Sequence, residues 1–163
     1  MAKKSKFYSC TPTGAGADGV VDRVEFLYNR VGERIGKRDQ NGTIHTYEYD
    51  NLGRLLHDRI TTLAAGVDGA VRRISTVYDV VGNVKSVTSY DNSDNVVNEV
   101  MYEFGDNQKL ARLYQAHDGA VNTAVTPCVQ YSYAGVVDAL RLETMTYNLR
   151  FTCQSRGSQR VGA

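Results

Sequence analysis

Tyr47-Glu48-Tyr49-Asp50-Asn51-Leu52-Gly53-Arg54-Leu55 is the stretch on which the fold turns. Its first three residues alternate aromatic and acidic, as a half-buried strand requires. Asp50 follows, and a glycine stands three residues beyond it. An Asp or Asn at the first position of a turn accepts a hydrogen bond from the backbone N–H two residues on, and a Gly at the fourth tolerates the left-handed backbone that ends a type I turn. Arg54 and Leu55 then open a returning strand. The nine residues therefore spell one β-hairpin.

The same spelling recurs. Tyr78-Asp79-Val80-Val81-Gly82-Asn83-Val84 is a close copy, and Tyr28-Asn29-Arg30-Val31-Gly32-Glu33-Arg34 is another with Asn for Asp. Phe104-Gly105-Asp106-Asn107-Gln108-Lys109-Leu110 is a weaker copy, and Tyr131-Ser132-Tyr133-Ala134 a remnant. The anchor aromatics at 28, 49, 78, 104 and 133 are spaced by 21, 29, 26 and 29 residues. Between successive anchors lies a second turn signal: Asn41-Gly42, Asp68-Gly69, the polar run Asp91 to Asn95, and Asp118-Gly119, with Asp18-Gly19 ahead of the first unit. Two turns per period mean two strands per period.

Alternation assigns the faces. Val24, Phe26 and Tyr28 share one, as do His45, Tyr47 and Tyr49; Ile74, Thr76 and Tyr78; Val100, Tyr102 and Phe104; and Val129, Tyr131 and Tyr133. Arg23, Glu25, Thr46, Glu48, Arg73, Ser75, Glu99, Glu103, Gln130 and Ser132 fall on the other, so one aromatic face and one wet face are expected. No window sustains the i, i+3, i+4, i+7 spacing of a helix; the nearest, Val136 to Met145, is short and uncapped. The fold class predicted is all-β, an antiparallel meander of repeated hairpins with about ten strands. It divides into a flexible leader at 1–19, a repeat ribbon at 20–142 and an irregular basic tail at 143–163, which carries three arginines against Glu143 alone.

These residues resemble the RHS/YD-repeat family, whose core is Tyr-Asp-x-x-Gly-Arg-Leu. The likeness covers roughly residues 20 to 134, and its repeat-defining positions are Tyr28, Gly32, Tyr49, Asp50, Gly53, Tyr78, Asp79, Gly82, Phe104 and Tyr133. The resemblance implies a ribbon that in full-length members spirals into a hollow shell, associated with secreted or surface bacterial toxins, where the shell encloses a toxic domain, and with animal adhesion receptors. It further implies partners: more repeats of a parent protein, a toxin domain, or glycans. Family shells use many more than five units, and their proline- and aspartate-rich self-cleavage motif has no counterpart here, where Pro12 and Pro127 are the only prolines. The sequence is accordingly read as a fragment of a larger protein, either a scaffold segment, a glycan- or partner-binding module, or an orphan without a role of its own.

Other chemistries find little footing. A formal charge of +1 gives no field to draw nucleic acid or an anionic membrane, and no stretch nears the roughly 18 apolar residues of a membrane helix. No apolar signal-peptide core follows Lys3, Lys4 and Lys6, so no export address is read in the sequence itself, and secretion rests on the resemblance. Cys10, Cys128 and Cys153, odd in number and far apart, read as free thiols. His45, His57 and His117 read as structural or surface histidines, with no nucleophile elbow beside them. Asp91, Asp94 and Glu99 fail the EF-hand pattern, since Val96 and Tyr102 stand where Gly and Glu are required. Glu48, Asp50, Glu99 and Glu103 lack the shared cleft that glycoside cleavage needs, and Arg72-Arg73 and Lys37-Arg38 read as solvated strand ends. No enzyme activity, cofactor or metal is expected.

Overall fold

The computed structural model describes residues 23–105, 108–133 and 142–148. Ten strands pair in sequence order as one antiparallel meander: β1 Glu25–Tyr28, β2 Arg34–Arg38, β3 Ile44–Tyr49, β4 Leu55–Thr62, β5 Arg73–Tyr78, β6 Val84–Tyr90, β7 Val96–Phe104, β8 Leu110–Ala116, β9 Cys128–Tyr133 and β10 Leu142–Asn148. The described residues contain no helix. The all-β hairpin meander read from the sequence is the fold. The expected leader and the tail beyond residue 148 lie outside the described residues, as do Asp18-Gly19 and Ala134.

The odd-numbered strands up to β9 end on the anchors. Tyr28, Tyr49, Tyr78, Phe104 and Tyr133 are the last residues of β1, β3, β5, β7 and β9. β10 occupies positions that the sequence reading placed largely in the irregular tail. Its Leu-Glu-Thr-Met-Thr-Tyr run alternates, and it pairs with β9 through Met145↔Tyr131 and Tyr147↔Val129.

The protein divides into two compact units, residues 1–76 with 89–95, and residues 77–88 with 96–163. In the first, β1 to β4 pair in sequence and β4 takes β5 through His57↔Ser75, Asp58↔Ile74 and Arg59↔Arg73. In the second, β7, β8, β9 and β10 do the same. Four hairpins shift register at the anchor: Tyr28 pairs with Arg34 although Leu27 pairs with Gly36, Tyr49 with Leu55 although Glu48 pairs with His57, Phe104 with Leu110 although Glu103 pairs with Arg112, and Tyr133 with Leu142 although Ser132 pairs with Thr144. Ile35, Leu56, Ala111 and Glu143 are the extra residues, each bulging on the returning strand.

Burial corrects the expectation of one dry and one wet face. The ladders keep the assigned faces, since Tyr47, Asp58 and Ile74 stand opposite one another across β3, β4 and β5, but apolar and polar residues are not sorted between them. In β5, Ile74, placed on the dry face, is 42% exposed, whereas Ser75, placed on the wet one, is 6% exposed. Ser86 and Thr88 are also buried. Among the described residues only Tyr47, Tyr114 and Cys128 are buried apolar residues. Ladder and loop hydrogen bonds therefore carry much of what a packed core carries elsewhere.

Candidate functional site

The hairpin loops are the most regular feature of the molecule. Number the five residues between the outgoing and the returning strand 1 to 5. In each of the loops 29–33, 39–43, 50–54, 79–83, 91–95 and 105–109, the N–H of residue 1 donates to the carbonyl of residue 5, and the N–H of residue 4 donates to the carbonyl of residue 1, at 2.8–3.4 Å. The side chain of residue 1 supplies the rest. Asn29, Asp50, Asp79 and Asp91 each accept from the N–H of residue 3 (2.7–3.1 Å) and of residue 5 (2.8–2.9 Å) through Oδ1. Asp39 takes the N–H of Thr43 in the same way, at 2.8 Å. Residue 4 is left-handed throughout: Gly32, Gly42, Gly53 and Gly82 have φ of +93°, +92°, +76° and +105°, and Asp94 and Gln108 adopt +63° and +58°.

Loops 39–43 and 91–95 follow β2 and β6, and so lie at the opposite end of the strands from the anchored turns. The Asn41-Gly42 signal is thus residues 3 and 4 of a five-residue loop opened by Asp39, not the centre of a two-residue turn. The expectations at Asp68-Gly69 and Asp118-Gly119 need amendment too. The turn between β4 and β5 is at Ala64–Val67 around Gly66, with Asp68 capping Ala70. The β8–β9 connection turns at Asn122–Thr126, while Gly119 donates to the carbonyl of Val97 at 3.0 Å.

Electrostatics follow from those bonds. The backbone N–H of Arg54, aided by its guanidinium, holds the Asp50 carboxyl below its ordinary value. At Asp79, partial desolvation pushes upward but is outweighed by the Asn83 amide and the N–H groups of residues 81 to 83, so this carboxyl is also lowered. The Asn95 amide leads the same effect at Asp91.

The anchor hydroxyls tie one hairpin to the one before it. Tyr49 donates to the carbonyl of Arg34, first residue of β2, at 2.9 Å, and Tyr133 donates to Leu110, first residue of β8, at 2.9 Å. Neighbouring loops meet as well, since Asn83 (residue 5) donates to Gln108 (residue 4) at 2.8 Å. Cations cover the rings: Arg34 lies 4.5 Å over Tyr47 and 5.8 Å from Phe26, Arg73 lies 4.0 Å over Tyr90, and Lys109 lies 4.7 Å over Tyr133. In a sheet this sparsely buried, long basic residues lend their methylenes as cover and their charge to the ring face.

Two open grooves flank the strands. One of about 570 Å³ in the second unit is lined by Val77, Tyr78, Lys85, Tyr102, Phe104 and Gln108, so three expected aromatics meet there. Another of about 410 Å³ in the first unit is lined by Phe26, Leu27, Ile35, Lys37, Ile44 and His45.

The residues weighed for catalysis are engaged separately. His57 Nδ1 lies 2.9 Å from Ser75 Oγ, a pair the sequence did not disclose. Asp58, next along the strand, points to the opposite face and meets His45 Nδ1 at 2.7 Å, so it does not orient His57. Asp94 pairs with Arg73 at 2.8 Å. Glu99 accepts from Thr88 and from the Val121 N–H, pinning the β8–β9 connection. Glu103 accepts from Arg112 and Tyr114; the first of these bonds raises Arg112, while burial raises Tyr114. Arg72 and Arg73 are half-buried rather than solvated, because Arg72 donates to the Ile60 carbonyl at 3.3 Å and Arg73 stacks on Tyr90. Cys128 is disulfide-bonded, which corrects its reading as a free thiol; Cys10 and Cys153 lie outside the described residues.

Among the described residues no cluster of three or more His, Cys, Asp or Glu could hold a metal ion, and no helix is long and apolar enough to cross a membrane. No protein-family model matches the sequence, and no curated protein does.

Proposed function

We propose that the protein is a structural β-repeat module of the RHS/YD type, contributing to a shell or surface scaffold that encloses a toxin domain or mediates contact. The observation that carries this reading is the five-residue loop built six times with the same two backbone bonds. An enzyme concentrates unusual geometry at one place, whereas a scaffold spends its sequence on making every unit alike. The back-reaching hydroxyls of Tyr49 and Tyr133 join successive hairpins, as a growing ribbon requires. The disulfide at Cys128 supports an oxidising compartment, in line with a secreted or surface protein.

A second reading, a glycan- or partner-binding module, draws on the groove where Tyr78, Tyr102 and Phe104 meet Lys85, because ring faces beside a polar group suit sugar stacking. A glycan array run with Tyr47→Ala and Tyr102→Ala separates the two. The scaffold is supported if each substitution costs the fold and the parent binds no glycan; reproducible binding lost without unfolding assigns the module instead.

A further inference from the structure

Asn41 is the one asparagine in the sequence followed by glycine. It is exposed, and a Cβ built on Gly42 would meet nothing within 4 Å. We infer that Asn41 is a site of spontaneous covalent modification, deamidation through a cyclic imide, and that the loop's own hydrogen bonds set its rate. The backbone nitrogen of Gly42 attacks Asn41 Cγ, forming a new bond between them. The bond from Cγ to Nδ2 breaks, and Nδ2 leaves as ammonia, taking up the proton lost from the Gly42 nitrogen. Water then opens the five-membered imide at either carbonyl, giving aspartate or isoaspartate.

An exposed asparagine supplies the electrophile, and an absent Cβ leaves the nucleophile unhindered. The native loop opposes the step, because the Gly42 N–H is committed to the Asp39 carbonyl at 3.1 Å and the next N–H, of Thr43, to Asp39 Oδ1 at 2.8 Å. Attack therefore waits on loop opening. β2 and β3, which the loop joins, share only the pairs Gly36↔Thr46, Lys37↔His45 and Arg38↔Ile44, so opening here disturbs a short ladder. Isoaspartate would add a backbone carbon between residues 1 and 4, and the loop could not re-form its bonds.

The full-length protein is incubated at mildly alkaline pH, folded and in urea, and its peptides are followed by mass spectrometry. The mass gain of exchanging NH for O is expected at Asn41 ahead of every other asparagine, with an isoaspartyl product resolved by chromatography, and at least about tenfold more slowly in the folded protein. Asp39→Ala, which removes the Oδ1 acceptor, accelerates the folded protein toward the urea rate. Conversion at another asparagine first, or none at Asn41 in urea, overturns the site. Equal rates folded and unfolded, with circular dichroism showing the sheet intact, overturn the control by the loop.

Discussion

Replacing Gly32 by alanine isolates the backbone term on which the repeat depends. Gly32 holds φ +93° and a Cβ there would touch nothing within 4 Å, so sterics with neighbours do not enter. Forcing an L-residue into the left-handed region costs roughly 1–2 kcal/mol, and alanine recovers about 0.4–1 kcal/mol by stiffening the unfolded state. The net is a destabilisation of about 1 kcal/mol, a fall in Tm of about 2–4 °C for a protein of this length. Asparagine, which visits this region more readily, is expected to cost less, and valine more. Urea unfolding followed by circular dichroism ranks the three. Gln108 tests the same term with the sign reversed, since it holds φ +58° without being glycine. Gln108→Gly should be close to neutral, because relief of about 1–2 kcal/mol is offset by about 0.4–1 kcal/mol of added unfolded-state freedom and by loss of the exposed Asn83 bond. A neutral or stabilising Gly32→Ala together with a Gln108→Gly that costs more than about 1 kcal/mol would refute the reasoning.

Tyr49→Phe deletes the hydroxyl bonded to Arg34 and should cost about 0.5–1 kcal/mol, whereas Phe104→Tyr, which supplies the hydroxyl that this anchor lacks, should raise Tm; both are read by thermal melts. On acidification, Asp50, Asp79 and Asp91, whose folded-state carboxyls lie below the ordinary 3.8, contribute stability that is complete above that value and lost as pH falls through their lowered ones. Melting temperature should therefore drop steeply below about pH 4, and a triple Asp→Asn variant should show a flatter acid limb. The purified protein is expected to self-associate at micromolar concentration, because Val31 and Leu52 in the first unit and Val80 and Val81 in the second stand exposed on their loops; a compact monomer that persists on dilution in light scattering would contradict this.

The hairpin spacing was legible because turn chemistry is local. Asp50 reaches N–H groups two and four residues away, and Gly53 is needed at one dihedral, so five consecutive letters suffice. Loop 91–95 shows the limit of that alphabet: Asp94 fills the glycine position, yet Asp91 and Asn95 still close the loop. What stayed hidden depended on register. Which residue covers Tyr47 is decided by the bulge at Ile35 and by the reach of Arg34, and neither is written in the period-2 pattern. Ser75 meeting His57, and Glu99 holding Val121, join positions 18 and 22 residues apart whose pairing only the assembled ladder fixes.

The direction of the tyrosine bonds bears on how such a sheet is stabilised. The carbonyl of Arg34 is satisfied by a hydroxyl from β3, and that of Leu110 by one from β9, so these two returning strands, β2 and β8, are completed by the hairpin that follows each. With few buried apolar residues to share, stability in this arrangement is a sum over neighbours rather than a property of one core. Phe104 interrupts the series, because it brings no hydroxyl to the strand before it. A hairpin next to that break depends more heavily on its own loop, and in this region the loops are linked directly, through Asn83 and Gln108. Loss of that link should consequently cost more in the parent protein than in a Phe104→Tyr background, a coupling that a double-mutant cycle with Asn83→Ala measures.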